Sequence, residues 1–219
     1  KIIKKNSKNI IIISEKKNNY LYNLSKKMNL YHLEHRCYVG GRYSVLSEIG
    51  MTPAYFMGLN LKNFKNHLLN ELNSKNKKFF KDNSLKLSNL LLNRKYRSFI
   101  LLNYVPELNK FLYWYQQLIA ESLGKKGKGF LPLVSEAPRD HHSLLQLYLD
   151  GPRDKVFNIF SDERTSKEKI RVKYSDSGSK ILNKSSLYQL KKAQKNALIN
   201  SLKKNKIPFR EFKIKSFDE

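Results

Sequence analysis

The sequence predicts an α/β protein, a three-layer αβα sandwich around a mainly parallel sheet. Three observations carry that expectation. Strand-like and helix-like segments alternate along the chain, as they do when helices cross over between parallel strands. Two strand segments, NIIIIS at 9–14 and FILLNYV at 99–105, are continuous apolar runs, the pattern of strands covered on both faces. The chain has 219 residues and no internal repeat, enough to bury one full core, so residues 1–219 read as a single domain.

The elements follow in order. After the strand at Asn9–Ser14, Leu21, Leu24 and Met28 give helical spacing within Tyr20–Asn29, and Tyr31–His35 reads as a short strand. Arg42–Gly58 and Leu61–Leu72 read as helices with apolar faces. Pro53 inside the first predicts a kink or break there. Ser98–Val105 is the next buried strand, and Pro106 opens a long apolar-faced helix ending near Leu123. Phe130–Val134 and Lys155–Phe160 are two more strands. Between them a helix runs from about Asp140, a good N-cap, to Asp150. Leu187–Lys204 is an amphipathic helix, and Phe209–Ile214 closes the series with strand character.

Composition narrows the function classes. The chain is 40% hydrophobic and 28% charged, which fits a folded protein better than a disordered one. Its 43 Lys+Arg against 18 Asp+Glu give a net charge of +25, and such a chain attracts polyanions. Yet the basic residues are spread out and diluted with Asn, as in KKNSKN and LKKAQKNALINSLKKNK, with no zinc-finger, basic-zipper or RNP-type motif. This argues against a dedicated nucleic-acid site. Lys, Asn and Ile are also what an AT-rich coding bias inflates on a tolerant surface. No apolar run reaches the ~18 residues of a membrane span, and KIIKKNSKN lacks the features of a secretory signal. The single cysteine, Cys37, has no internal partner, so a reducing cytoplasm is the expected compartment.

Three segments carry candidate chemistry. In YVGGRYSVLSEIG, Gly40 and Gly41 allow a tight turn or a close backbone approach, and Arg42 offers a fork of donors to an anion. An αL turn before a helix, with a solvated arginine, accounts for the same residues. In YWYQQLIAESLGKKGKG, Gln117 and Glu121 stand four apart, on one helix face. Glu121 then sits near the helix C-terminus, where the dipole biases a carboxylate toward accepting a proton; a solvated surface glutamate is the alternative. In APRDHHSLLQLYLDGP, His141 and His142 lie in a first helical turn and point about 100° apart, so they do not chelate one metal. One of them can face a cleft as a neutral proton shuttle, or both can be structural. His32, His35 and Cys37 in HLEHRC make a poor metal site, because a strand sends His32 and His35 to opposite faces. GKKGKG lacks P-loop spacing, and neither a Gly-x-Ser-x-Gly elbow nor an HExxH motif is present.

Taken together and in this order, VGGRYSVLSEIG, QQLIAESLGKKGKG and DHHSLLQLYLDGP resemble the signature segments of glucose-6-phosphate isomerases. The resemblance runs from about Asn9 to the last residues and implies a sugar-isomerase (SIS-type, flavodoxin-like) fold. It implies aldose–ketose isomerisation of glucose 6-phosphate and fructose 6-phosphate through an enediolate, without metal or organic cofactor. Glu121 matches the general base, and Arg42 the arginine that holds substrate and stabilises the enediolate. His142 matches the histidine that assists ring opening. In the family that histidine comes from the neighbouring subunit, which implies a homodimer. Gly41 and Gln117 match substrate-binding positions; His141 stands where the family usually has Gln. General base catalysis suits this reaction, since the proton alpha to a carbonyl is weakly acidic. The family also has a first sugar-isomerase domain with a Ser/Thr-rich phosphate loop, and closing helices with a catalytic lysine. Nothing here resembles either, so the expectation is a second sugar-isomerase domain, cut at both ends, whose activity alone is doubtful. Two rivals are a non-catalytic sugar-phosphate-binding domain on the same sandwich and, on charge alone, a nucleic-acid binder. The first has no need for Glu121, Arg42 and His142 together.

Overall fold

A computed structural model describes residues 7–93, 95–164, 169–171, 182–183 and 185–217. The chain divides into two compact units, one reaching to Lys77 and the other spanning Lys78–Asp218.

The first unit opens with a short βαβ element. Strand β1 (Ile11–Ser14), helix α1 (Tyr20–Lys27) and strand β2 (Tyr31–Glu34) follow one another, and the strands pair in parallel from Ile11↔Tyr31 to Ser14↔Glu34. Asn19 starts α1 by accepting a hydrogen bond from the Tyr22 amide at 2.9 Å, the ordinary work of an N-cap asparagine. The apolar run in β1 predicted burial on both faces, but of its residues only Ile12 is buried, and Ile11 keeps 36% of its surface. β1 pairs with β2 alone, and a two-stranded sheet has few neighbours to cover it.

The helix read over Arg42–Gly58 is two elements. A 3₁₀ helix, Gly41–Leu46, precedes α2 (Glu48–Phe56), and the break falls at Ser47 rather than at Pro53. Ser47 is extended; its hydroxyl donates to the Ser44 carbonyl at 2.8 Å and accepts from the Ile49 amide at 3.4 Å. A competing side-chain bond of this kind ends one helix and caps the next. Pro53 sits late in α2 and only one further turn follows it. Gly50 makes the corner possible, because a Cβ there would stand 1.9 Å from the Val45 carbonyl oxygen. Helix α3 (Leu61–Glu71) follows, and α4 (Ser74–Leu92) runs on into the second unit. α4 was not read from the sequence, where Lys and Asn dilute its apolar spacing.

The second unit is the αβα sandwich. Its strands are β3 (Ser98–Asn103), β4 (Leu131–Glu136), β5 (Lys155–Asp162) and β6 (Phe209–Ile214), all parallel in the order β4-β3-β5-β6. Helix α5 (Asn109–Leu123) connects β3 to β4 after a 3₁₀ turn at Pro106–Leu108. Two short helices, α6 (Arg139–Ser143) and α7 (Leu145–Leu149), lead to β5, and α8 (Leu187–Lys204) precedes β6. The period of two in β3 sorts its side chains between two cores. Ile100 and Leu102 pack with Tyr148 of α7 and Leu198 and Leu202 of α8. Phe99 and Leu101 pack with Leu112 and Ile119 of α5 and with Leu87 and Leu90 of α4. Burial on both faces explains why β3 is one continuous apolar run.

The single helix expected over Asp140–Asp150 breaks at Leu144, and Asp140 is not its N-cap. Pro138 takes that position, without a side-chain bond. The Asp140 carboxylate is buried instead, accepting from the Glu136 amide (2.8 Å), the Ser135 hydroxyl (2.9 Å) and Arg139 Nε (3.0 Å).

Candidate active site

Gly40 is extended at φ −65°, ψ 150°, and neither it nor Gly41 has a positive φ, so no αL turn explains the pair. A Cβ on Gly41 would meet nothing within 4 Å. The space beside the backbone is open, as a close approach by a ligand requires. The 3₁₀ turn is fixed from within: the Tyr43 amide donates to the Gly40 carbonyl (2.9 Å), and the buried Ser44 hydroxyl to the Gly41 carbonyl (2.7 Å). Arg42 is half-buried on this turn, its guanidinium carbon 5.8 Å from the centre of the Tyr43 ring.

On α5 the expected pair forms. Gln117 Nε2 donates to Glu121 Oε1 at 2.8 Å, and both residues are exposed. Glu121 lies in the last turn because the glycines stop the helix just beyond it. The Gly124 amide closes on the Ala120 carbonyl at 2.9 Å, and a Cβ on Gly124 would stand 2.5 Å from that oxygen. Lys126, Gly127 and Gly129 then take positive φ and turn the chain into β4. The GKKGKG segment thus ends one helix and starts one strand.

The structure separates the two histidines that the sequence could not. His141 is half-buried, its Nε2 is 2.7 Å from the Tyr104 hydroxyl, and the rings meet edge to face. Burial pushes His141 below the usual histidine range, against the upward pull of Asp140, and it pushes the Tyr104 phenol up. His142 is exposed on the outer side of α6. His141 is therefore the inward-facing histidine, and His142 faces solvent.

Sequence reading missed the polar network that anchors this segment at the C-terminal edge of the sheet. Asn103 ends β3 buried, bonded to both the amide and the carbonyl of Val105 and donating to Asn109 Oδ1 at 2.7 Å. Asn109 donates to Glu136 (3.2 Å), and Glu136 pairs with Arg139 (2.8 Å), which also holds Asp140. The available signal was the lone Asn inside FILLNYV, since a buried amide demands partners.

Within one chain Glu121 and His142 do not meet. Gln116 Nε2 donates to the Pro132 carbonyl at 3.0 Å, tying the middle of α5 to the start of β4 and leaving Glu121 beyond it. His142 follows the other end of that strand. A helical rise of 1.5 Å per residue puts Glu121 about 18 Å along the axis from Asn109, which bonds to Glu136 at the His142 edge. Arg42 and Gly41 belong to the first unit. His32 and His35 also lie apart: His32 Nε2 is 3.1 Å from Ser14 Oγ, and His35 Nε2 is 3.0 Å from the Val39 carbonyl. Among the described residues, no helix is long and apolar enough to cross a membrane.

No family model matches the chain. It is 33% identical to the probable glucose-6-phosphate isomerase of Methanococcus maripaludis over 193 residues, 86% of this chain. It is 35% identical to the glucose-6-phosphate isomerase of Campylobacter jejuni over 75% of this chain. The chain belongs to the glucose-6-phosphate isomerase family. The matches span 43% and 42% of those two glucose-6-phosphate isomerases, less than half of their length. A hypothetical protein of Thermus thermophilus shares the fold, with a TM-score of 0.76 and 22% identity over 95% of this chain and 52% of its own.

Proposed function

We propose that residues 1–219 form the second sugar-isomerase domain of a glucose-6-phosphate isomerase, acting in the cytoplasm. In the complete enzyme Glu121 moves the proton between C1 and C2 of the open-chain sugar phosphate. Arg42 holds the substrate and stabilises the enediolate, since its charge cannot be lost. Gly41 and Gln117 line the substrate, and His142 assists ring opening from a neighbouring copy in a homodimer. The observation that carries this reading is the exposed Gln117–Glu121 pair on the last turn of α5. The Gln117 amide holds one carboxylate oxygen of Glu121 in place while the residue stays open to solvent. The separation of Glu121 from His142 within one chain supports supply of the histidine across an interface.

The test is Glu121→Gln in the complete enzyme. Turnover should fall by at least the roughly 10²–10⁴-fold of a general base, while calorimetric binding of fructose 6-phosphate persists. Turnover retained at the wild-type level would remove Glu121 from the role of base.

A further inference from the structure

The second unit also carries a groove that the isomerase reading does not use. A cavity of about 680 Å³ lies along α8, beside the C-terminal parts of β5 and β6. That size lies within the range of small-molecule sites. Helical periodicity brings Lys191, Lys192, Lys195, Asn196, Asn200 and Lys203 to its wall as one polar stripe. Leu198 and Leu202, between them in sequence, turn the opposite way into the core.

Charge accounting decides what the groove can hold. Its three acids already have cations. Asp162 pairs with Arg164 at 2.6 Å, Glu211 pairs with Lys195, and Glu163 lies 3.8 Å from Lys213. Among the described residues, Lys191, Lys192 and Lys203 form no ion pair. Arg164 is shared between Asp162 and Glu107, and Lys191 also acts on the Asp162 carboxyl. Yet the lining carries five lysines against three acids, so the groove keeps an excess of ammonium groups, with the Asn196 and Asn200 amides among them. Lysine binds phosphate as a point charge on a flexible stem, so ammonium groups spread along a helix can close on phosphates held between them. Neutral amides suit the hydroxyls or ring atoms of the same ligand. Tyr188 is the one aromatic ring on α8's side, and Lys192 already lies over it at 5.7 Å; a bound nucleic-acid strand needs successive stacking platforms.

We infer that this groove binds a small molecule bearing two or more phosphate groups. It opens on the same edge of the sheet as His142, and Tyr104, which borders it, is the partner of His141. The groove shares no residue with Glu121, Gln117 or Arg42, so either assignment can fail alone.

Calorimetry on the 219-residue chain, with inorganic tripolyphosphate as the probe, tests the site. One-to-one binding is expected. It should weaken roughly tenfold when Lys191, Lys192 and Lys203 are all changed to Gln, at the strength of exposed ion pairs. Gln matches Lys in helix propensity, so the fold should persist by circular dichroism. A charge-matched control, Lys62→Gln, Lys65→Gln and Lys77→Gln on α3 and α4, should change affinity less than about twofold. Equal losses in the two triple variants would assign the affinity to the overall charge of +25 and overturn the groove, as would no saturable binding. Parallel titrations with adenosine triphosphate and fructose 1,6-bisphosphate identify the source of the phosphates: the tighter ligand names a nucleotide or a sugar ester.

Discussion

Asp140 shows how one buried carboxylate can hold a segment for its neighbour. Burial alone would raise its pKa, but the hydrogen bonds of Arg139, the Glu136 amide and Ser135 outweigh that and keep the carboxyl below the usual aspartate range. The sign of the resulting pH dependence follows from a depressed folded-state value. The stabilisation is complete above the ordinary carboxylate range and is lost as pH falls through the depressed value. Asp140→Asn should therefore cost about 1–3 kcal/mol at neutral pH, the scale of hydrogen bonds to a charged group. The gap to wild type should close on acidification. Urea unfolding between pH 7 and pH 3 measures both; a gap that stays constant would mean the charge of Asp140 contributes nothing. At this scale the sequence named the segment but not which histidine faces inward. Two adjacent histidines on a helix are equivalent in a sequence, and only the Tyr104 hydroxyl at 2.7 Å makes His141 the inward one.

Among elements, the corner between the 3₁₀ helix and α2 sets how the Arg42 turn is presented. Gly50→Ala should destabilise the first unit by about 1–3 kcal/mol through overpacking, because the new methyl meets backbone at Val45 rather than a movable side chain. Thermal unfolding monitored near this unit would show it, and an unchanged midpoint would mean the corner can open without cost. Elements with strong periodicity were legible to the residue: Leu187–Lys204 and Phe209–Ile214 are where the pattern put them. The breaks at Ser47 and Leu144 were not, since both interrupt apolar spacing that would suit a continuous helix. At Ser47 the cause is a hydroxyl bonded to nearby backbone, which periodicity does not register. α4 failed for the opposite reason, its apolar positions being too few among Lys and Asn.

For the whole molecule, the proposed sharing of the site between two copies rests on Glu121 and His142 leaving opposite ends of the sheet's strands. Mixing two inactive variants of the complete enzyme, Glu121→Gln and His142→Gln, tests the proposed sharing. If each site takes its base from one copy and its histidine from the other, random reassortment leaves about a quarter of the sites intact. Activity should return to about that fraction of wild type after unfolding and refolding the mixture. No recovery would place both residues' work within one copy. The α/β class and the parallel sheet were plain from the alternation and from FILLNYV. The distance between the candidate residues was not, because it depends on which end of a strand each helix leaves.

That arrangement gives β4 a role apart from packing. A loop over residues 124–130 leads from α5 to its first residue and Ala137-Pro138 lead from its last into α6, so the six residues of Leu131–Glu136 act as a ruler between the glutamate and the histidine. Lengthening the ruler by one residue would move the histidine segment by about 3.3 Å and turn its faces over; lengthening it by two would move it twice as far and restore them. The spacing between the two ends of the sheet is thus written in the number of residues in β4, whatever their side chains.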